Sequence, residues 1–231
     1  MAGTRMNAGD RRRAILEAAL RVIARTNYSK ATTAAIAKEA GINEALIYHH
    51  FESKKVLLLA LLDMIKDDIT AILTSVEIPD DPSLTAFRVV GKHYQNVVEE
   101  DPDGIKAFIK ATVVDDQEVK DKVWEILESF HGMVKTRIEE ARDAGMLPPF
   151  VDTEMAAWMS LAWANFISLT RVLGKGDRIP DERIDQWVER MEGMMSLARK
   201  MSGQPQAVSK PKKKKTTSKG RAKKSFSRKK S

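Results

Sequence analysis

The sequence contains no cysteine, so disulfides, thiolate zinc sites and a cysteine nucleophile are excluded. Histidine is scarce, with four residues in 231, and no two of them are four positions apart, the spacing that would align them on one helix face. We therefore predict no metal site and no cofactor. No pattern of nucleophile, base and metal ligand is evident either, which argues against an enzyme.

Long apolar runs are also absent. No uninterrupted run approaches the ~18 residues that cross a bilayer, and residues 1–13 lack the apolar centre of a secretory signal. We expect a soluble, cytoplasmic protein with no membrane partner.

Acidic residues are missing from one part of the chain. Residues 204–231 carry twelve Lys and Arg and no Asp or Glu, so the net charge of +7 divides into +12 there and −5 in the first 203 residues. This segment has too few apolar residues to offset the entropy of ordering it. We predict a disordered basic tail attached to a mildly acidic folded body.

The body shows helical spacing throughout and no convincing strand alternation, which predicts an all-α fold. Asp10 is a plausible N-cap for the first helix, and the Arg11, Arg12 and Arg13 cluster at its start either faces phosphates or is merely solvated. The predicted helices are about 11–25, two short ones within 32–51, 54–76, 83–100, a short one after 104, 118–144, 152–173 and 181–201.

The stretch Thr32–Lys55 is the most informative part of the chain. It reads T-T-A-A-I-A-K-E-A-G-I-N-E-A-L-I-Y-H-H-F-E-S-K-K, two short helical patterns separated by Gly41. Glycine at such a joint permits a left-handed turn, and Asn43 is a good N-cap for the helix that follows. This arrangement is typical of a helix-turn-helix, which places its second helix in the major groove of DNA.

The runs T-T-A-A-I-A-K-E-A-G-I and A-L-I-Y-H-H-F-E-S-K-K-V-L-L resemble the tetracycline-repressor (TetR) family of transcriptional regulators. The resemblance implies a three-helix head joined by a long fourth helix to a helical effector and dimerisation domain. We accordingly expect a DNA-binding domain at 9–69 with its helix-turn-helix at 32–51, a ligand-binding and dimerisation domain at 70–203, and the tail at 204–231.

The resemblance also implies roles for single residues. Thr33 would cap the second helix and contact phosphate, Tyr48 and His49 would lie one turn into the third helix, and Lys54 would meet the DNA backbone. Glu44 repels phosphate, so it either accepts from a cytosine amino group or points away, and Tyr48 could instead pack the head. The complete predicted DNA-binding set is Thr33, Lys38, Asn43, Glu44, Ala45, Tyr48, His49 and Lys54.

In the second domain the resemblance implies a homodimer formed by the last two long helices, about 152–173 and 181–201, and a small apolar effector. Aromatic residues at helical spacing are equally compatible with plain core, and Asn165 with the subunit interface. The predicted pocket residues are Phe87, Tyr94, Phe108, Trp124, Phe130, Trp158 and Asn165.

Taken together, the resemblance implies a bacterial, nucleoid-associated homodimer that binds a palindromic operator in double-stranded DNA and represses transcription, and we expect the tail to add non-specific affinity. The alternatives are an architectural or effector-independent DNA-binding protein, or a helical protein that binds polyanions or membrane surfaces through its tail.

Overall fold

The computed structural model describes residues 7–75, 85–100 and 102–201, and all regular structure within these ranges is helical, which confirms the predicted fold class. The predicted basic tail, 204–231, lies outside the described residues. The helices are α1 Ala8–Arg25, α2 Thr33–Ala40, α3 Glu44–His50, α4 Lys54–Ser75, α5 Thr85–Glu100, α6 Asp103–Ala111, α7 Gln117–Asp143, α8 Thr153–Val172 and α9 Asp181–Met201, with a single 3-10 turn at Gly176–Arg178.

Two predicted helix starts are wrong by one turn or less. Asn7, not Asp10, caps α1, because its side chain accepts from the Asp10 N–H at 2.8 Å. Thr32, not Thr33, caps α2, because its hydroxyl accepts from the Ala35 N–H at 3.1 Å. In both places the sequence offers two residues that are good caps, so residue type alone does not show which of them begins the helix.

The head is closed by α4. Ile15 and Ile23 from α1, Ile36 from α2 and Ile47 from α3 are all at most 2% exposed, and the first half of α4 adds four leucines at 1% or less: Leu57, Leu58, Leu61 and Leu62. Each such side chain contributes roughly 1.5–3 kcal/mol on burial, so the packing of α4 against α1–α3 is a large part of the stability of the head.

The core does not stop at the predicted domain boundary near residue 70. The same cluster of buried residues continues into α6 and α7 through Ile105, Phe108, Val119 and Ile126. The long apolar face of α4 joins the two parts, as its length predicted. The head and the second part of the chain therefore share one hydrophobic core.

A lysine reinforces this junction. The ammonium group of Lys110, in α6, donates to the carbonyl oxygens of Ile23, Ala24 and Thr26 at 3.2, 2.6 and 2.7 Å. These are carbonyls at the end of α1, which have no partner within the helix. Lys110 thus caps a helix of the head from the second part of the molecule.

Candidate nucleic-acid interface

The turn between α2 and α3 forms as predicted. Gly41 has φ 66° and ψ 32°, the left-handed conformation that residues other than glycine rarely adopt. The Ile42 N–H reaches back to the Ala37 carbonyl at 3.0 Å, which closes the end of α2. Asn43 then caps α3 through the Ala45 N–H at 2.9 Å. These local bonds fix the angle at which α3 leaves α2.

Helix α3 divides into an inner and an outer face. Ile47 and the following Phe51 are each 1% exposed and anchor the helix to the core. Asn43, Ala45 and His49 are exposed, and Tyr48 is 53% exposed. Most of the predicted base-reading residues are therefore accessible to solvent.

Glu44 and Thr33 are the exceptions to this exposure. Thr33 is 9% exposed, and its hydroxyl donates to the Glu44 carboxylate. A second hydrogen bond, 3.1 Å long, joins the Thr33 Oγ1 and the Tyr48 hydroxyl. Glu44 thus neither points away nor stands free at the helix start, because it is bonded to the first residue of α2.

The ammonium group of Lys54, which was predicted to contact the DNA backbone, already has partners within the protein. Its ammonium group donates to the Ser29 carbonyl at 3.3 Å and lies 4.4 Å from the centroid of the Tyr28 ring. Burial lowers the pKa of Lys54 from its ordinary value. Lys38, on α2, is exposed.

The arginine cluster at the start of α1 has structural partners that the sequence did not reveal. The Arg12 guanidinium lies 4.2 Å from the centroid of the Phe51 ring and donates to the His50 carbonyl at 3.0 Å, so it caps the end of α3. Arg13 pairs with Glu17 at 3.0 Å and with Asp68 at 3.3 Å, and these carboxylates raise its pKa. The sequence left two interpretations of this cluster, one facing phosphates and one solvated, and neither included these contacts.

The predicted pocket residues lie in different surroundings. Phe108 and Phe130 are buried in the shared core, whereas Trp124 is 52% exposed and stacks on Trp158 at 5.5 Å. Tyr94 is half-buried, and its hydroxyl lies 3.5 Å from Ser168. Asn165 donates to the Leu161 carbonyl of its own helix, and the side chain of Phe87 lies outside the described part.

Metal-binding clusters and membrane-spanning helices are both absent from the described residues. Within 7–75, 85–100 and 102–201, no group of three or more metal-binding side chains comes together. Among the same residues, no helix is long and apolar enough to cross a membrane.

Comparison with known proteins agrees with the helix-turn-helix. Residues 15–61, which run from within α1 into α4, match the family model described as bacterial regulatory proteins, tetR family. Over 83 residues the chain is 37% identical to the HTH-type transcriptional regulator BetI of Rhizobium meliloti (strain 1021), covering 34% of this chain and 41% of the relative, less than half of its length.

A second relative aligns over more of the chain. The nucleoid occlusion factor SlmA of Vibrio atlanticus (strain LGP32) is 25% identical over 145 residues, covering 62% of this chain and 72% of that protein. Among solved structures, a TetR transcription regulator from Haloarcula marismortui superposes with a TM-score of 0.68 and 22% identity over 81% of this chain and 98% of the other, which shows a shared fold. Residues 15–61 therefore form a DNA-binding domain that matches the tetR family of bacterial regulatory proteins, and the described chain shares its fold with a TetR transcription regulator.

Proposed function

We propose that this regulator is a homodimeric repressor that binds a palindromic operator through α3 and responds to a small apolar effector. The observation that carries the proposal is the outer face of α3, where Asn43, Ala45, Tyr48 and His49 are exposed while Ile47 fixes the helix to the core. Residues at the start of the second helix of a helix-turn-helix face base edges.

The dimer proposal is supported by exposed apolar faces on α8 and α9. On α8 and its C-cap, exposed apolar residues recur every three or four positions, the spacing of one helix face: Met155, Met159, Trp163, Phe166, Leu169 and Leu173. On α9 the exposed apolar residues are Trp187, Met194, Leu197 and Met201, of which Trp187 also stacks on Trp163 at 5.5 Å. Apolar surface of this extent and regularity marks an interaction site. A two-fold axis that packs both helices against their copies would bury it in a four-helix bundle.

Repression and its relief follow from the spacing of two heads. Dimeric helix-turn-helix proteins reach two half-sites when their reading helices lie ~34–36 Å apart, one turn of DNA. An effector that binds better to a dimer with another spacing lowers DNA affinity by linkage alone. The core shared by α4, α6 and α7 provides the route, since Phe108 and Phe130 pack in the same cluster as Leu61 and Leu62.

The basic tail adds affinity without sequence preference in this proposal. Each phosphate that a lysine or arginine neutralises steepens the logarithmic salt dependence of binding by ~0.9. Binding to random duplex is measured against salt concentration with and without residues 204–231. A shallower slope for the shortened chain supports the role, and identical slopes overturn it.

Selection of bound sequences from a random DNA pool tests the central proposal. A recovered palindrome with half-sites one helical turn apart supports a dimeric, sequence-specific regulator. Combined Tyr48→Ala and Lys54→Ala substitutions are then expected to abolish the retarded band on the selected duplex. Unchanged binding would mean that the tail, rather than the head, holds the DNA. A gel shift against candidate apolar compounds tests the effector.

A second candidate function is effector-independent binding at many sites along the bacterial nucleoid in the cytoplasm. The alignment with a nucleoid occlusion factor favours it, because that alignment reaches well beyond the head to 62% of this chain. Mapping of bound sites on chromosomal DNA separates the two functions. A few promoter sites support the repressor, whereas sites scattered through coding DNA support the second candidate.

A further inference from the structure

Thr33, Glu44 and Tyr48 form a hydrogen-bond network that includes the two hydroxyl groups expected to contact phosphate. Thr33, the first residue of α2, donates its hydroxyl proton to the Glu44 carboxylate at the start of α3. The Thr33 Oγ1 also lies 3.1 Å from the Tyr48 hydroxyl oxygen, in a bond where either group could donate. The three residues therefore link the two helices of the motif on its DNA-facing side.

Counting protons settles the direction of the second bond. A threonine hydroxyl has one proton, and a carboxylate has none to give. Because the Thr33 proton goes to Glu44, the bond between the two hydroxyls takes its proton from Tyr48. Both hydroxyl protons are thus directed into the network. Phosphate oxygens only accept hydrogen bonds, so in this arrangement neither Thr33 nor Tyr48 can donate to a phosphate of DNA.

We propose that Glu44 stands in for a DNA phosphate in the free protein and that its displacement links backbone docking to base recognition. This inference rests on the proposed function, since it concerns the same reading helix. On docking, a phosphate takes the hydroxyl protons that Glu44 and Thr33 accept in the free protein. The carboxylate then has no partner within the head.

The released carboxylate makes Glu44 a specificity-determining residue. It lies one position after the N-cap of the helix that faces base edges. There it repels phosphate and is satisfied only by a base that donates, and the amino group of cytosine is the donor that glutamate pairs with. A half-site with cytosine at this position compensates for the displaced Thr33 bond, and other half-sites do not.

The first experiment measures the affinity of the full-length chain for random-sequence duplex. Glu44→Ala is compared with Glu52→Ala, which removes one exposed carboxylate from the turn after α3. Both variants lose the same charge and keep the same tail, so the difference between them isolates the network. We expect Glu44→Ala to bind about tenfold more tightly than Glu52→Ala, a shift the size of one good contact.

The gain must depend on the freed hydroxyl. In a Thr33→Val background, which keeps the shape of the side chain but removes the hydroxyl that donates to Glu44, Glu44→Ala is expected to give no more than the Glu52→Ala gain. Glu44→Leu retains much of the side-chain volume without a hydrogen-bond acceptor and serves as the second variant if Glu44→Ala does not fold. A thermal unfolding curve for each variant checks that it folds.

The second experiment repeats the selection from a random pool with the wild type and Glu44→Ala. The wild type is expected to prefer cytosine at one position of each half-site, and the variant to lose that preference alone. Affinity equal to that of Glu52→Ala, a decrease, or a gain that persists in the Thr33→Val background would overturn the inference. A wild type that selects no palindrome would instead overturn the proposed function.

Discussion

The ammonium nitrogen of Lys110 lies 2.6 Å from the carbonyl oxygen of Ala24, although the two residues are 86 positions apart in the sequence. The same nitrogen reaches Thr26 at 2.7 Å, so one side chain of α6 satisfies carbonyls that the end of α1 leaves open. Helix α1 of the head is therefore held by a residue from the part of the chain that is expected to bind the effector.

Substitution of Lys110 is expected to loosen the head. Lys110→Met keeps the aliphatic stem but removes the charged donor, which costs about 2 kcal/mol and lowers Tm by about 4–8 °C. Thermal unfolding measures the loss, and amide exchange at the end of α1 localises it. Lys120→Met is the matched control, because the Lys120 ammonium pairs with the exposed Asp115, at 2.8 Å, rather than with helix-end carbonyls. Equal Tm values for the two variants would show that the contact does not stabilise the head.

Two glycines are expected to respond in opposite ways to alanine. Gly41 has φ 66°, so Gly41→Ala destabilises the turn by about 1–2 kcal/mol. Gly132 lies inside α7, and an added Cβ there would meet nothing within 4 Å. Gly132→Ala should therefore raise the free energy of unfolding by about 0.4–1 kcal/mol. Urea denaturation of both variants is the measurement, and a stabilising Gly41→Ala would contradict the observed turn.

A charge on the exposed apolar faces should separate the dimer without unfolding the chain. Met159 and Met194 are 63% and 64% exposed, so Met159→Glu with Met194→Glu removes few intramolecular contacts. Sedimentation is expected to show monomers, and affinity for a selected palindrome is expected to fall at least tenfold because each head then binds alone. Phe150→Glu, at a residue 71% exposed in the loop before α8, is the control and should remain dimeric. A dimeric double variant would place the interface elsewhere.

The link between α1 and α2 is expected to make the head sensitive to acid. Arg25 and Arg21 donate to Glu39 at 2.5 and 2.8 Å, and these hydrogen bonds lower the pKa of Glu39 below its ordinary 4.5. Because the folded-state pKa is depressed, the stabilisation is present above pH 4.5 and is lost as the pH falls through the folded-state value.

Thermal unfolding at a series of acidic pH values tests this link. Glu39→Gln should flatten the loss of Tm below pH 4.5. The double variant Arg21→Gln with Arg25→Gln removes the same interaction from the other side and should flatten it equally. A slope that persists in both would assign the acid sensitivity to other carboxylates.

Local sequence patterns were sufficient for the helix-turn-helix. Gly41 and Asn43 act through bonds to residues within four positions, so their roles follow from the residue types alone. The inner face of α3 was equally accessible to prediction, because Ile47 and Phe51 follow helical spacing. These features depend on the chain within one turn.

The contacts that the sequence did not reveal join residues far apart. Arg12 bonds to the His50 carbonyl 38 positions away, and Lys110 caps α1 across more than 80. Long basic side chains have many possible partners, and their composition does not identify the one chosen. The Thr33 bond to Glu44 spans only 11 positions, but it depends on the angle between α2 and α3. The sequence suggested that Glu44 could read a base, and the structure adds that this carboxylate accepts a hydrogen bond from the Thr33 hydroxyl.

The Lys110 cap has a consequence for the order in which the chain can fold as it is made. The end of α1 acquires this partner only after α6 has been synthesised, 84 residues beyond Thr26. At a synthesis rate of about 5–20 residues per second, the amino-terminal head waits several seconds with its last carbonyls open and with the core face that meets Ile105 and Phe108 uncovered. A nascent chain truncated within α5 should therefore carry a head that exchanges its α1 amides freely and is readily cleaved by protease.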